Sequence, residues 1–162
     1  MAIGATSGGR VTPGGLRITG HYLYQLSDTD WFDGTASFTY GGGGAACFRD
    51  RSAQLVCDHG LAQGAGIELA ASVRRVFEPH GGLRPFARAG LGFELVRFTD
   101  DHVSGVAFPL HLGGGVRTEV APSVAIVVEA EVALGLGRFN QGLAAEPVFG
   151  LAIAAGVEFV LP

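Results

Sequence analysis

Seven long runs of strand-forming residues constrain the fold more than any other feature of this sequence. They are separated by turn-like residues and cover 16–26, 35–47, 61–77, 85–98, 106–120, 123–136 and 147–161. The runs have 11 to 17 residues, whereas strands in soluble proteins usually have about 5 to 6. A strand needs about 9 to 11 residues to cross a membrane. With "AIGATSGG" at 2–9 as a weaker first strand, the sequence predicts eight strands of membrane-crossing length.

The run 61–77 also fits a helix, because apolar residues recur at every fourth position. These residues are Leu61, Ala65, Leu69, Val73 and Phe77. The same run alternates between apolar and polar residues, so its periodicity does not decide between the two structures. Gly64 and Gly66 would weaken a helix, and we therefore interpret this run as a strand.

The run 123–136 separates its side chains into two different faces. Successive side chains of a strand point in opposite directions, so Glu129 and Glu131 share one face, and the other is wholly apolar. The same division recurs in the other runs. The charged residues of the polar face are Arg17, Glu68, Arg74, Arg88, Glu94, Arg117, Glu119, Glu129, Glu131 and Glu158. We expect them to form a charge network inside a barrel, with a charged His21 or His111, a protonated carboxylate or interior water offsetting the excess of glutamate.

This alternation suits two architectures that place the apolar face on opposite sides. A soluble lipocalin-like barrel would turn the apolar face inward and carry a small apolar ligand, whereas an outer-membrane barrel turns it toward lipid. Long strands, aromatic residues near the strand ends and a polar face of Gly, Ala, Glu and Arg without Lys favour the membrane barrel. The interior of an eight-stranded barrel is just filled by side chains, so we expect no open pore.

The connections between the runs alternate between short turns and longer polar loops. "EPHGGLR", "VAPS" and the link around "DTDWFDG" are short, while "CFRDRSAQLVCDHG", "FTDDHVSG" and "GRFNQGLAAEP" are longer. Long external loops and short periplasmic turns are typical of outer-membrane barrels. Cys47 and Cys57 bracket the first long loop, and we predict that a disulfide closes it in an oxidising compartment. A metal site is not expected there, because only His59 lies close by.

Composition narrows the classes of protein and partner further. The 162 residues predict a single domain, 1–162. All eleven basic residues are arginine and the formal net charge is −4, so nucleic acid is not expected as a partner. No apolar stretch is long enough for a membrane helix. The opening "MAIGATSGG" lacks a charged start followed by an apolar core, so no signal peptide is visible.

Three stretches carry a resemblance to a known family that covers essentially the whole chain. They are "RPFARAGLGFEL", "HLGGGVRTEVAPSVAIVVEAEVALGLG" and "GLAIAAGVEFVLP", and they resemble the small eight-stranded outer-membrane barrels, such as the outer-membrane protein A transmembrane domain and the opacity-type porin-like proteins. The resemblance implies an all-β, eight-stranded antiparallel up-and-down transmembrane β-barrel in the bacterial outer membrane. It also implies a monomer in contact with outer-membrane lipid, without cofactor or enzymatic activity, and a structural or surface-binding, adhesive role for the external loops. The family's assembly signal, an aromatic near the C-terminus, is matched imperfectly by Phe159.

Two enzymatic alternatives rest on polar residues in the predicted loops. Outer-membrane proteases use Asp–His and Asp–Asp pairs at the barrel rim, and this chain offers Asp58, His59, Asp100, Asp101 and His102. Lipid A deacylases carry a His-x-Ser motif, which "HVS" at 102–104 matches in its letters. In that family the motif lies on the next-to-last strand, where this chain has "VVEAEVAL". We therefore consider a barrel-rim hydrolase less favoured than a binding protein.

Overall fold

The computed structural model describes residues 1–49, 53–141 and 143–159, and strands account for most of them. In chain order they are β1 (Ala2–Gly8), β2 (Gly15–Gln25), β3 (Asp30–Gly42), β4 (Ala46–Arg49), β5 (Leu55–Asp58), β6 (Gln63–Val76), β7 (Leu83–Phe98), β8 (Val103–Ala121), β9 (Val124–Phe139) and β10 (Ala144–Phe159). Among the described residues, no helix is long and apolar enough to span a membrane.

Eight of these strands form a closed antiparallel barrel in the order β1-β10-β9-β8-β7-β6-β3-β2. Each barrel strand pairs with its neighbours along the chain, and the ring closes where Ala2 to Gly8 of β1 pair with Gly156 to Gly150 of β10. The predicted all-β, eight-stranded up-and-down barrel is confirmed. The run 61–77 forms β6, so the strand interpretation of this ambiguous segment was correct.

Burial alternates along the barrel strands, with polar side chains inside and large apolar side chains outside. In β9, Glu129 and Glu131 are buried, while Ile126, Val128 and Leu134 are exposed. This arrangement contradicts the lipocalin-like alternative, because the interior of that barrel would have to be lined by the apolar face.

Several strands extend into segments that the sequence analysis assigned to connections. β3 begins at Asp30, five residues before the predicted start, and the turn before it is correspondingly short. The loops predicted around "FTDDHVSG" and "GRFNQGLAAEP" shrink to 99–102 and 140–143, because their flanking residues continue the strands. Backbone pairing does not depend on hydropathy, so polar strand ends escape a pattern-based prediction.

The segment predicted as a long polar loop contains a small hairpin. Strands β4 and β5 pair with each other outside the barrel sheet, and Cys47 lies directly opposite Cys57 in their register. We call the end of the barrel that carries this hairpin the hairpin end. It also carries the connections 9–14, 99–102 and 140–143, whereas the opposite end, the termini end, carries Met1 and the turns 26–29, 77–82 and 122–123.

The lumen is closed by an apolar plug at the hairpin end. The connection 9–14 folds into the barrel mouth, where Val11 is fully buried. Around it pack Val96, Phe98, Val103, Ala107, Phe139 and Val148. At the termini end the lumen instead opens into a pocket of about 480 Å³, whose lining includes Trp31, Arg74, Arg117 and Glu158.

Candidate functional site

The charged residues predicted from the alternation lie mostly on the inner wall of the barrel. Seven of the ten are buried: Arg17, Glu68, Arg74, Arg88, Glu94, Glu129 and Glu131. Arg117 and Glu158 are half-buried near the termini end. The side chain of Glu119 is 52% exposed at the rim, where it contacts Arg117 and Arg84. Glu119 therefore lies at the margin of the group rather than inside it.

The half of the interior that is nearer the hairpin end is organised around His111. Its Nε2 lies 2.8 Å from Oε1 of Glu68 and its Nδ1 lies 3.1 Å from Oε1 of Glu131. These are ion pairs by distance, although neither contact has the alignment of a hydrogen bond. Arg17 adds a second link between the same two carboxylates, at 3.6 Å from Glu68 and 3.3 Å from Glu131.

The other half of the interior is organised around Asp33, which is fully buried. Its Oδ1 lies 3.0 Å from Nδ1 of His21, and its Oδ2 lies 3.1 Å from Nη2 of Arg74 and 3.5 Å from Nη1 of Arg88. Arg88 also contacts Glu129 at 3.7 Å and forms an ion pair with Glu131. Arg88 therefore joins the two halves into one network.

Asp33 is the interior residue that the sequence analysis missed. It was assigned to the link around "DTDWFDG", whereas in the structure it lies within β3. Its inward face continues through Thr35, Ser37 and Thr39, all buried. The alternation of polar residues from Asp33 to Thr39 is a sequence signal for this face, and it predicts Asp33 as inward-facing if the strand begins at residue 30.

Phe86 and Phe98 face the polar interior of the barrel, and each is accommodated there by different contacts. Phe86 is buried beneath Arg74, whose guanidinium carbon lies 4.2 Å from the ring centroid. Such a cation–π contact stabilises an arginine that is withdrawn from water. Arg74 also forms an ion pair with Glu158, which in turn lies 3.3 Å from Nε of Arg117. Phe98 is fully buried in the apolar plug.

The interior charges approach a balance once the two histidines are included. The carboxylates are Asp33, Glu68, Glu94, Glu129, Glu131 and Glu158, and the arginines are Arg17, Arg74, Arg88 and Arg117. His111 and His21 each have both ring nitrogens facing carboxylates, with Nε2 of His21 3.5 Å from Glu129. A carboxylate close to each ring nitrogen stabilises the imidazolium electrostatically, so this geometry favours the charged form. Six cations then oppose six carboxylates.

Glu94 is the least compensated member of the group. It lies opposite Glu68 in the register of β6 and β7, and no ion pair joins it to another described residue. Small cavities of about 20 Å³ and 10 Å³ remain between these interior side chains. The interior side chains therefore leave only small spaces at these two places.

The polar residues of the connection 99–102 and Ser104 form hydrogen bonds with neighbouring segments. Oδ2 of Asp101 accepts a hydrogen bond from the backbone N–H of Ala62 at 2.7 Å, so the connections 43–62 and 99–102 do meet. The hydroxyl of Ser104 accepts a hydrogen bond from Asn140 at 3.2 Å, and the backbone carbonyl of His102 accepts another. Within the described part of the chain, no three His, Cys, Asp or Glu residues are grouped to hold a metal ion.

The closed eight-stranded ring with a charged interior and an apolar exterior has the fold of the small outer-membrane barrels. Among solved structures, the chain is similar to Neisserial surface protein A, an eight-stranded outer-membrane barrel, with a TM-score of 0.70. The match covers 99% of this chain and 92% of that chain at 13% sequence identity, so it shows a shared fold. No protein-family model matches the sequence, and no curated protein matches it.

Proposed function

We propose that this protein is a non-enzymatic barrel of the bacterial outer membrane that presents its hairpin end to the exterior as a binding or adhesive surface. The proposal rests on one observation: the barrel strands turn their large apolar side chains outward and their charged side chains inward. Leu69, Leu136 and Ile153, on three different strands, have 61%, 67% and 67% of their surface exposed. Soluble monomers rarely expose large contiguous apolar patches, whereas lipid solvates such a surface.

The closed ring supports the same location for a second reason. A hydrocarbon environment offers no hydrogen-bond partners to the backbone, so only helices and closed barrels satisfy their own N–H and C=O groups there. In this chain the ring has no free edge, because β1 pairs with both β2 and β10.

The plug and the ionic network argue against transport as the main role. Val11 and Phe98 close the hairpin end, and the interior charges occupy the middle of the lumen. Binding is then left to the outer surfaces. The hairpin of β4 and β5 forms a two-stranded sheet separate from the barrel, and Leu55 on it is 65% exposed. The opposed positions of Cys47 and Cys57 support a disulfide that would stiffen this hairpin.

Trypsin treatment of intact cells carrying the protein tests both the exposure of the hairpin and its disulfide. Trypsin should cut after Arg49 or Arg51, which lie between Cys47 and Cys57 in the sequence, while the barrel strands resist. The two fragments should remain joined on a denaturing gel until a reductant is added, because both cuts lie between Cys47 and Cys57. A C57S variant should release the fragments without reductant.

Two results would contradict this proposal. Cleavage in the hairpin only after the cells are permeabilised would place the hairpin on the periplasmic side. Fragments of the wild-type protein that separate without reductant would remove the disulfide.

A further inference from the structure

Two arginines break the apolar outer surface close to the hairpin end. Arg97 lies one residue before the end of β7 and Arg138 one residue before the end of β9. Both are exposed, and both have the outward parity of their strands, because Phe98 and Phe139 beside them are buried inside. A charge on the lipid-facing surface is costly at the centre of a bilayer and tolerated near its interface. Their position at the strand ends therefore places both arginines at the level of lipid headgroups.

The register brings the two arginines to either side of the same strand. Arg97 is opposite Ser104 of β8, and Arg138 is opposite Val106 of β8. Neighbouring strands lie about 4.8 Å apart and the two opposite positions on β8 differ by two residues, so the backbones of the two arginines are roughly 12 Å apart. Flexible arginine side chains can reach one headgroup across that distance.

Arg97 and Arg138 differ from an exposed arginine at the termini end, Arg75, in their side-chain contacts. Arg75, exposed at the termini end, donates two hydrogen bonds to Asp30, at 2.8 Å and 2.9 Å. By contrast, neither Arg97 nor Arg138 forms an ion pair or a side-chain hydrogen bond with any residue in the described ranges. Their charges are available to an external anion.

A pocket beside Arg97 provides a second observation. It measures about 280 Å³ at the connection between β7 and β8, and its polar lining comes from Arg97, Thr99, His102 and Ser104. Two acidic residues lie in this connection. The carboxylate of Asp101 accepts a hydrogen bond from the backbone N–H of Ala62. Neither Asp100 nor Asp101 forms an ion pair with Arg97 or Arg138, so the two guanidinium groups remain open to another anion.

We propose that Arg97, Arg138 and this pocket bind the headgroup phosphate of an anionic membrane lipid. The acyl chains of that lipid would lie along the outward side chains directly below, where Leu95 is opposite Val106 and Phe108 is opposite Leu136. Arginine suits this role because its planar guanidinium donates paired hydrogen bonds to phosphate oxygens. The lipid site rests on the proposed membrane location, since a protein in water would not meet the acyl chains.

The test is a titration of the purified chain, folded in micelles of an uncharged detergent, with phosphatidic acid, and native mass spectrometry counts the bound lipids. Phosphatidic acid should bind the wild type, and the double variant R97Q/R138Q should lose roughly tenfold or more in affinity. The matched control is R75Q/R84Q, which removes two exposed arginines at the termini end. This control should bind as the wild type does.

Four results would overturn the proposal. They are equal binding by R97Q/R138Q and the wild type, an equal loss in R75Q/R84Q, equal binding of phosphatidylcholine, and complete displacement of the lipid by millimolar inorganic phosphate. The last would indicate a site for free phosphate. If the wild type is folded only in detergent and shifts its gel mobility on heating, such results refute the lipid site alone. A wild type that is monodisperse in plain buffer would refute the membrane location as well.

Discussion

Replacing both Glu129 and Glu131 by glutamine should destabilise the barrel more than any other conservative change, by about 3–5 kcal/mol or more. Glu131 contacts Arg17, Arg88 and His111, and Glu129 contacts Arg88 and His21. Removing both negative charges leaves Glu68 and Asp33 as the remaining partners of these four cations, so the buried network carries two uncompensated positive charges. The cost of an unpaired charge in a water-poor interior exceeds the net value of the pair that held it.

The measurement is reversible urea unfolding in lipid vesicles, followed by the fluorescence of Trp31. The matched control is Glu119→Gln, because that side chain is half exposed at the rim. Exposed ion pairs are worth about 0–1 kcal/mol, so this variant should unfold nearly as the wild type does. If the double variant does not fold, the single change Glu129→Gln provides the measurement. An unchanged unfolding midpoint in the double variant would show that the network contributes nothing to stability.

Truncation of the plug should be the second most damaging change. Phe98→Ala removes a fully buried ring from the cluster around Val11, Phe139 and Val148. A substitution of this kind in a packed core costs about 3–5 kcal/mol, because it adds a cavity to the loss of buried surface. We expect a loss of that size in the free energy of unfolding.

Phe108→Ala is the matched control for the plug, because Phe108 is the same residue type on the neighbouring strand but faces outward, 62% exposed. It contacts Phe93, with ring centroids 5.5 Å apart, and such a pair is worth about 0.5–1.5 kcal/mol. Urea unfolding in the same vesicles should therefore show a much smaller loss for Phe108→Ala. Equal losses for the two variants would mean that the plug is not a packed core.

The barrel, and which face of each strand points inward, could be predicted from the sequence, because both follow from local periodicity. Glu129 and Glu131 share a face in any strand that contains them, and Pro147 to Phe159 alternate in the same way. Periodicity does not depend on which strands become neighbours. It therefore identified most of the inner wall without any knowledge of contacts.

Features that depend on contacts between distant segments were not predicted. Asp33 was missed because a strand end rich in aspartate resembles a turn until its pairing with β6 is known. The plug was missed because "GGRVTPGG" has no strand or helix pattern, and only the closed barrel provides the mouth into which Val11 folds. The hairpin of β4 and β5 was likewise interpreted as a plain loop.

The most direct test of the central claim, that the apolar face contacts lipid, is fluorescence quenching by brominated phosphatidylcholine. Leu112 lies near the middle of β8 and faces outward. In a W31F background, a tryptophan placed by L112W should be strongly quenched, whereas one placed in the hairpin-end connection by H59W should be quenched weakly. Equal and weak quenching at both positions would contradict the account, because Leu112 would then lie away from the bilayer.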